Sequence, residues 1–187
     1  MKRIVIVFGL ISGVISSALM FLTLPLMKNG TINFDNGEVF GYTAIFLSFL
    51  LVFFGIRSYR ENNGGTISFG RAFSVGILIT LISCLFYVAS WELIYFKLMP
   101  EFSRGHMEKY AAHAVSTMRA KGATDAAIAA KKAEMDKLMT MLDNPLLNSA
   151  MTFIEPFPVG LIVTLVSAGI LRRRRGVPAP GAVVQTV

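Results

Sequence analysis

The sequence predicts an all-α membrane protein: a four-transmembrane-helix bundle with an extracytoplasmic helical hairpin between helices three and four. Three observations predict it. Apolar residues make up 54% of the 187 residues and charged ones only 16%, where a soluble domain carries about 25% charged. Four apolar runs, each free of lysine and arginine, are long enough to cross a bilayer as helices, which takes roughly 20 residues. Basic residues gather at one end of those runs. The net charge of +7 therefore follows membrane topology, and no nucleic acid is expected as a partner.

The first span covers residues 4–27, "IVIVFGLISGVISSALMFLTLPLM", after the basic pair Lys2 and Arg3. It is too long for the roughly 7–15-residue core of a secretory signal, and no small-x-small site follows it. It is expected to remain as an anchor. Gly9, Gly13 and Ser17 recur at four-residue spacing. Small residues so spaced let two helix backbones approach closely. Packing inside the bundle is the expectation, with homo-oligomer formation as the alternative. Asn29-Gly30-Thr31 fits a glycosylation sequon but is read as a turn.

The second span covers 39–56 and runs into "FGIRSYRENNGGTISFGRAF". This loop has no phosphate-loop pattern, and "GGTISFG" lacks a lysine to reach a nucleotide phosphate. Asn62 to Gly65 is a turn signal. Arg57, Arg60 and Arg71 are expected to contact anionic lipid headgroups. The third span covers 73–96. It contains the single cysteine, Cys84, which excludes an internal disulfide and reads as a small packing residue.

Residues 97–148 are the one sizeable segment outside the spans. Glu101 to Lys121 reads as a helix with Met107, Tyr110, Ala111, Ala114 and Met118 on one face. Gly122 suits its end and Thr124 an N-cap. A second helix runs to about Leu142, with Ile128, Met135, Leu138, Met139 and Leu142 on one face. The two faces are expected to pack together; the alternative is a methionine-rich docking surface for a protein partner. His106 and His113, seven apart, cannot clasp one ion at i,i+4 spacing, so a zinc site is not expected. Whether any metal binds is left open, and no cofactor is implied.

The fourth span covers 149–171, and prolines 156 and 158 follow Glu155 within it. Each proline removes a backbone donor, so this span is expected to start late or kink. Arg172, Arg173, Arg174 and Arg175 follow as a stop-transfer and headgroup cluster. Residues 1–174 read as one membrane domain, and 175–187, "GVPAPGAVVQTV" from Gly176 on, as a disordered cytoplasmic tail.

With the N-terminus inside, the inner segments hold Lys2, Arg3, Arg57, Arg60, Arg71 and Arg172 to Arg175 against Glu61 alone. The outer segments are nearly neutral. This asymmetry fits the positive-inside rule, so both termini are expected in the cytoplasm.

Two carboxylates lie within the spans. Counting 1.5 Å per residue puts Glu92 and Glu155 about 6 and 9 Å below the outer boundary, at similar depth on neighbouring helices. Charges at such depth usually face a bundle interior or water. The pair can share a proton, bind a hard cation through oxygen ligands, or reach the headgroup layer and bond Trp91 or Tyr95.

"MKRIVIVFGLISGVISSALM", "GEVFGYTAIFLSFLLVFFGIRSYRENNGGTISFGRAF" and "NPLLNSAMTFIEPFPVGLIVTLVSAGIL" together resemble the DUF4199 family of bacterial membrane proteins, over about residues 2–174. The resemblance implies four transmembrane helices. It implies no established activity, so no catalytic residue follows from it. No serine–histidine, cysteine–histidine or H-E-x-x-H arrangement lies in the spans, and an enzyme is not expected. The expected function is a non-enzymatic structural or partner-binding component of the bacterial inner membrane. The alternative is a small transporter or ion-handling protein using Glu92 and Glu155.

Overall fold

Caps and glycines, rather than the ends of the apolar runs, set the helix boundaries. The structure is a computed structural model describing residues 1–33 and 35–173, with the backbone alone for Phe102 and Ser103. Helix α1 spans Lys2–Lys28 and α2 spans Gly37–Glu61. Between them Asn33 and Asn36 accept each other's neighbouring amides in a tight turn. Helix α2 continues past residue 56 because nothing in "RSYRE" breaks a helix; it ends where Gly64 and Gly65 take φ of +72° and +74°, a region glycine enters without cost. Helix α3, Phe69–Leu93, starts four residues before its apolar run because Ser68 caps it, accepting from the Arg71 amide.

A π-helical turn at Ile94–Leu98 ends α3. Helix α4, Pro100–Ala120, and α5, Asp125–Leu142, then pack as a pair of helices joined by a short turn. Gly122, at φ +75°, and the Thr124 cap, which accepts from the Ala127 amide, make the turn between them. Ile128, Met135 and Leu142, at seven-residue spacing on α5, are buried. Helix α6, Pro145–Ile154, and α7, Pro156–Leu171, complete the chain.

Four segments are long and apolar enough to cross a membrane: Lys2–Lys28, Gly37–Glu61, Phe69–Leu98 and Pro145–Leu171. Among the described residues all regular elements are helical. Helix α3 touches α1, α2 and α7, and α2 touches α1 and α7, so α2 and α3 form the short diagonal of a four-helix section. Val52, Ile56, Val75, Ile79 and Cys84 are fully buried there.

Glycine and hydroxyl side chains let the helices close. Gly9, Gly13 and Ser17 of α1 meet Ile82, Phe86 and Ser90 of α3 in one constant register. An added Cβ would come within 2.9 Å of Ile82 at Gly9 and 2.6 Å of Phe86 at Gly13. Ser90 Oγ donates to Ser17 Oγ over 2.7 Å. The constant offset is what two parallel helices require. The small-residue face of α1 is thus occupied inside the bundle. Deeper, Ser12 donates to the Ser48 carbonyl at 2.8 Å, joining α1 to α2. Thr80 and Thr164 hydroxyls lie 3.1 Å apart, joining α3 to α7.

At the end opposite the hairpin, Ile67 and Arg173 exchange backbone hydrogen bonds of 2.9 and 2.8 Å. This two-residue bridge closes the α2–α3 loop onto the end of α7 and buries Ile67. Arg57 donates to Glu61 at 2.8 Å. Arg57, Arg71, Arg172 and Arg173 are exposed and Arg60 is half-buried, all around the same end. Arg174, Arg175 and the tail to residue 187 lie outside the described residues.

Candidate functional site

Several polar groups meet where α6 lies against the hairpin-end half of α3. Asn144 caps α6, its side chain accepting from the Leu146 and Leu147 amides, and Pro145 takes the first helical position. A proline there loses nothing, since that amide has no intrahelical partner. One turn on, Asn148 is fully buried, with both polar side-chain atoms bonded. Its Nδ2 donates to the Leu142 carbonyl at 2.9 Å, and its Oδ1 accepts from Trp91 Nε1 at 2.9 Å and Thr152 Oγ1 at 3.2 Å. Asn148 therefore ties the end of α5, the hairpin-end part of α3 and α6 together.

Glu155 stands at the joint of α6 and α7. Pro156 and Pro158 supply no amide, so the Thr152 and Ile154 carbonyls lose their i+4 donors. The joint keeps helical dihedrals, φ −68° and ψ −58°, so the expected interruption is a break inside a continuous span and not a late start. Glu155 is exposed, and Tyr87 donates its hydroxyl to Glu155 Oε2 at 3.1 Å.

Glu92 sits elsewhere. It is half-buried, and its Oε1 is shielded from solvent with no hydrogen-bond donor among the described residues. Glu92 lies five residues beyond Tyr87, about 7.5 Å along α3 and about 140° around it. The pairings Tyr87–Glu155 and Trp91–Asn148 set the α3–α6 register, which leaves Glu92 level with Asn148. The two carboxylates are thus not side by side along the α3–α6 contact. The fourth span begins at Pro145, four residues before 149, and the third ends at Leu98, two after 96, so Glu155 lies ten residues and Glu92 six from those span ends. Trp91 and Tyr95 do not serve Glu92 in the expected way: the Trp91 N–H goes to Asn148, and the two rings pack with centroids 5.8 Å apart.

The hairpin meets the bundle through α4, and Arg104 ties its two helices together at their base. His113 Nε2 lies 3.4 Å from Asp35 Oδ1 in the α1–α2 loop. Arg104 meets Asp143 at 3.1 Å. Glu101, His106 and Lys109 of α4 line a pocket with Lys28 at the end of α1. Burial, reinforced by Lys109, holds the His106 imidazole below its ordinary value of 6.5. Among the described residues no group of three or more His, Cys, Asp and Glu side chains is placed to hold a metal ion.

Asn148, Thr152 and Tyr87 were not singled out by sequence reasoning. Asn144-Pro145 was the available signal, because a cap residue followed by proline marks a helix start. It places Asn148 inside the fourth span, where an amide must find partners.

The family model described as a protein of unknown function, DUF4199, matches residues 7–173. No curated protein and no solved structure matches the chain.

Proposed function

The chain belongs to the DUF4199 family, and from that premise we propose a non-enzymatic membrane component that presents its α4–α5 hairpin to a protein partner. The carrying observation is the division of labour in the fold. Glycines and hydroxyls close the four helices upon one another, while the hairpin is held by Asn148 and by the exposed contact of His113 with Asp35. Such a bundle serves as a rigid mount.

We place the protein in a bacterial inner membrane with both termini in the cytoplasm and the hairpin outside. Support comes from Lys2, Arg3, Arg57, Arg60, Arg71, Arg172 and Arg173 at one end of the bundle, opposed there by Glu61 alone. Anionic headgroups are the proposed contacts of those arginines. Orientation is tested with a cysteine introduced at Lys121 and an impermeant maleimide. The native Cys84 is buried, so labelling of intact cells would report the new thiol; labelling only after lysis would reverse the topology.

The partner role is tested by replacing residues 104–139 with a Gly/Ser linker, which keeps Leu142 and Asn148. The expected outcome is a core that unfolds near the wild-type temperature but loses its higher-mass assembly on native gels. An assembly unchanged by the replacement would refute the role.

A second reading, ion or proton handling, has one observation in its favour: the shielded, donor-free Oε1 of Glu92. Its test is thermal unfolding of wild type, Glu92→Gln and Glu155→Gln across cations. Stabilisation by a cation in wild type alone would favour it, since binding to the folded state raises stability by mass action.

A further inference from the structure

At the hairpin end of the bundle, a pocket of about 530 Å³ opens between the end of α1 and the first turns of α4. Lys28, Lys109 and His106 line it, with Glu101 as the single acid. Met27 and Ile32 form its apolar side. Gly105 keeps one wall low: a Cβ there would meet nothing within 4 Å, so the residue lines the space without filling it.

We infer that this pocket binds a phosphate-bearing anion, as a lipid headgroup or as a free phosphate. Three features carry the assignment. Two lysines outnumber the one carboxylate, so the pocket has a positive balance, and the imidazole adds a hydrogen-bond donor. The groups come from separate elements, the end of α1 and the body of α4, so folding assembles them. The height is also right: Lys28 closes a membrane-crossing helix, which is the level of headgroup phosphates. Met27 and Ile32 then stand where a lipid's glycerol and upper chains would pass.

The test compares the full chain with Lys28→Gln/Lys109→Gln. Lys131→Gln/Lys132→Gln on α5 removes the same charge away from the pocket. In the first arm, detergent-solubilised protein is titrated with inorganic phosphate against chloride at matched ionic strength. In the second, the three proteins are placed in nanodiscs of phosphatidylglycerol or phosphatidylcholine. A saturable rise in Tm with phosphate, lost in the pocket variant and kept in the α5 variant, would establish the site and a soluble ligand. A rise with phosphatidylglycerol alone, with the same dependence on Lys28 and Lys109, would establish a headgroup site. Equal responses of all three proteins in both arms, or no response in either, would overturn the inference.

Discussion

Gly13 lies directly against Phe86: a Cβ built on Gly13 would stand 2.6 Å from the ring's Cγ. The contact is to the root of the side chain and not to a mobile tip, so the ring cannot turn away. Gly13→Ala must push α1 off α3. Overpacking of this kind costs about 1–3 kcal/mol, read as a lower midpoint in detergent unfolding. Gly169→Ala is the control, since a Cβ there meets nothing within 4 Å and should gain helix propensity instead. Equal midpoints for the two variants would contradict this packing.

Thr80 and Thr164 share a hydroxyl–hydroxyl bond in a fully buried setting. Thr164→Val keeps the shape and removes the partner. Interhelical bonds of this type inside membranes average about 0.6 kcal/mol, and Thr80 keeps a second acceptor, the Gly160 carbonyl at 3.4 Å. A small loss is expected, and a double-mutant cycle with Thr80→Val should recover a coupling of that order.

Trp91 is the only tryptophan, so its emission reports on Asn148 without labelling. Asn148→Leu leaves the Trp91 N–H and the Leu142 carbonyl without a partner. Each orphaned buried group costs about 1–3 kcal/mol. Lower stability and a shifted Trp91 emission maximum are expected together. Asn148→Leu with unchanged emission would show that the indole does not depend on this amide.

His106 gives the hairpin end a pH dependence. Burial and Lys109 hold its folded-state value below 6.5, so the folded protein binds fewer protons than the unfolded chain. The associated stability is present above pH 6.5 and is lost as pH falls from there through the folded value. Lys28, Lys109 and Glu101 are the charged groups that face it in the pocket. Wild type should lose more Tm than His106→Gln on acidification below pH 6.5. Parallel profiles would remove His106 from the account.

The spans were legible because runs of apolar residues near membrane length have few other fates. The hairpin was legible from Gly122, Thr124 and the Ile128–Met135–Leu142 spacing, all of which act locally. Span ends were less so: "RSYRE" is polar yet helix-forming, and hydropathy does not see it. The interruption at Glu155 could be read from two prolines. The relation of Glu92 to Glu155 could not, because it depends on the α3–α6 register, and that is set by Tyr87 and Asn148 finding partners across the bundle. Gly9, Gly13 and Ser17 announced a close helix contact, but their spacing alone carries no information about which helix fills it.

The exchange of amide and carbonyl bonds between Ile67 and Arg173 has a meaning for biosynthesis. Ile67 leaves the ribosome well before Arg173, so for most of translation the α2–α3 loop has nothing to close upon. The latch forms only after the last span has been threaded into place. Burial of Ile67 is therefore a signature of a finished chain, and stalled or truncated products would leave it accessible.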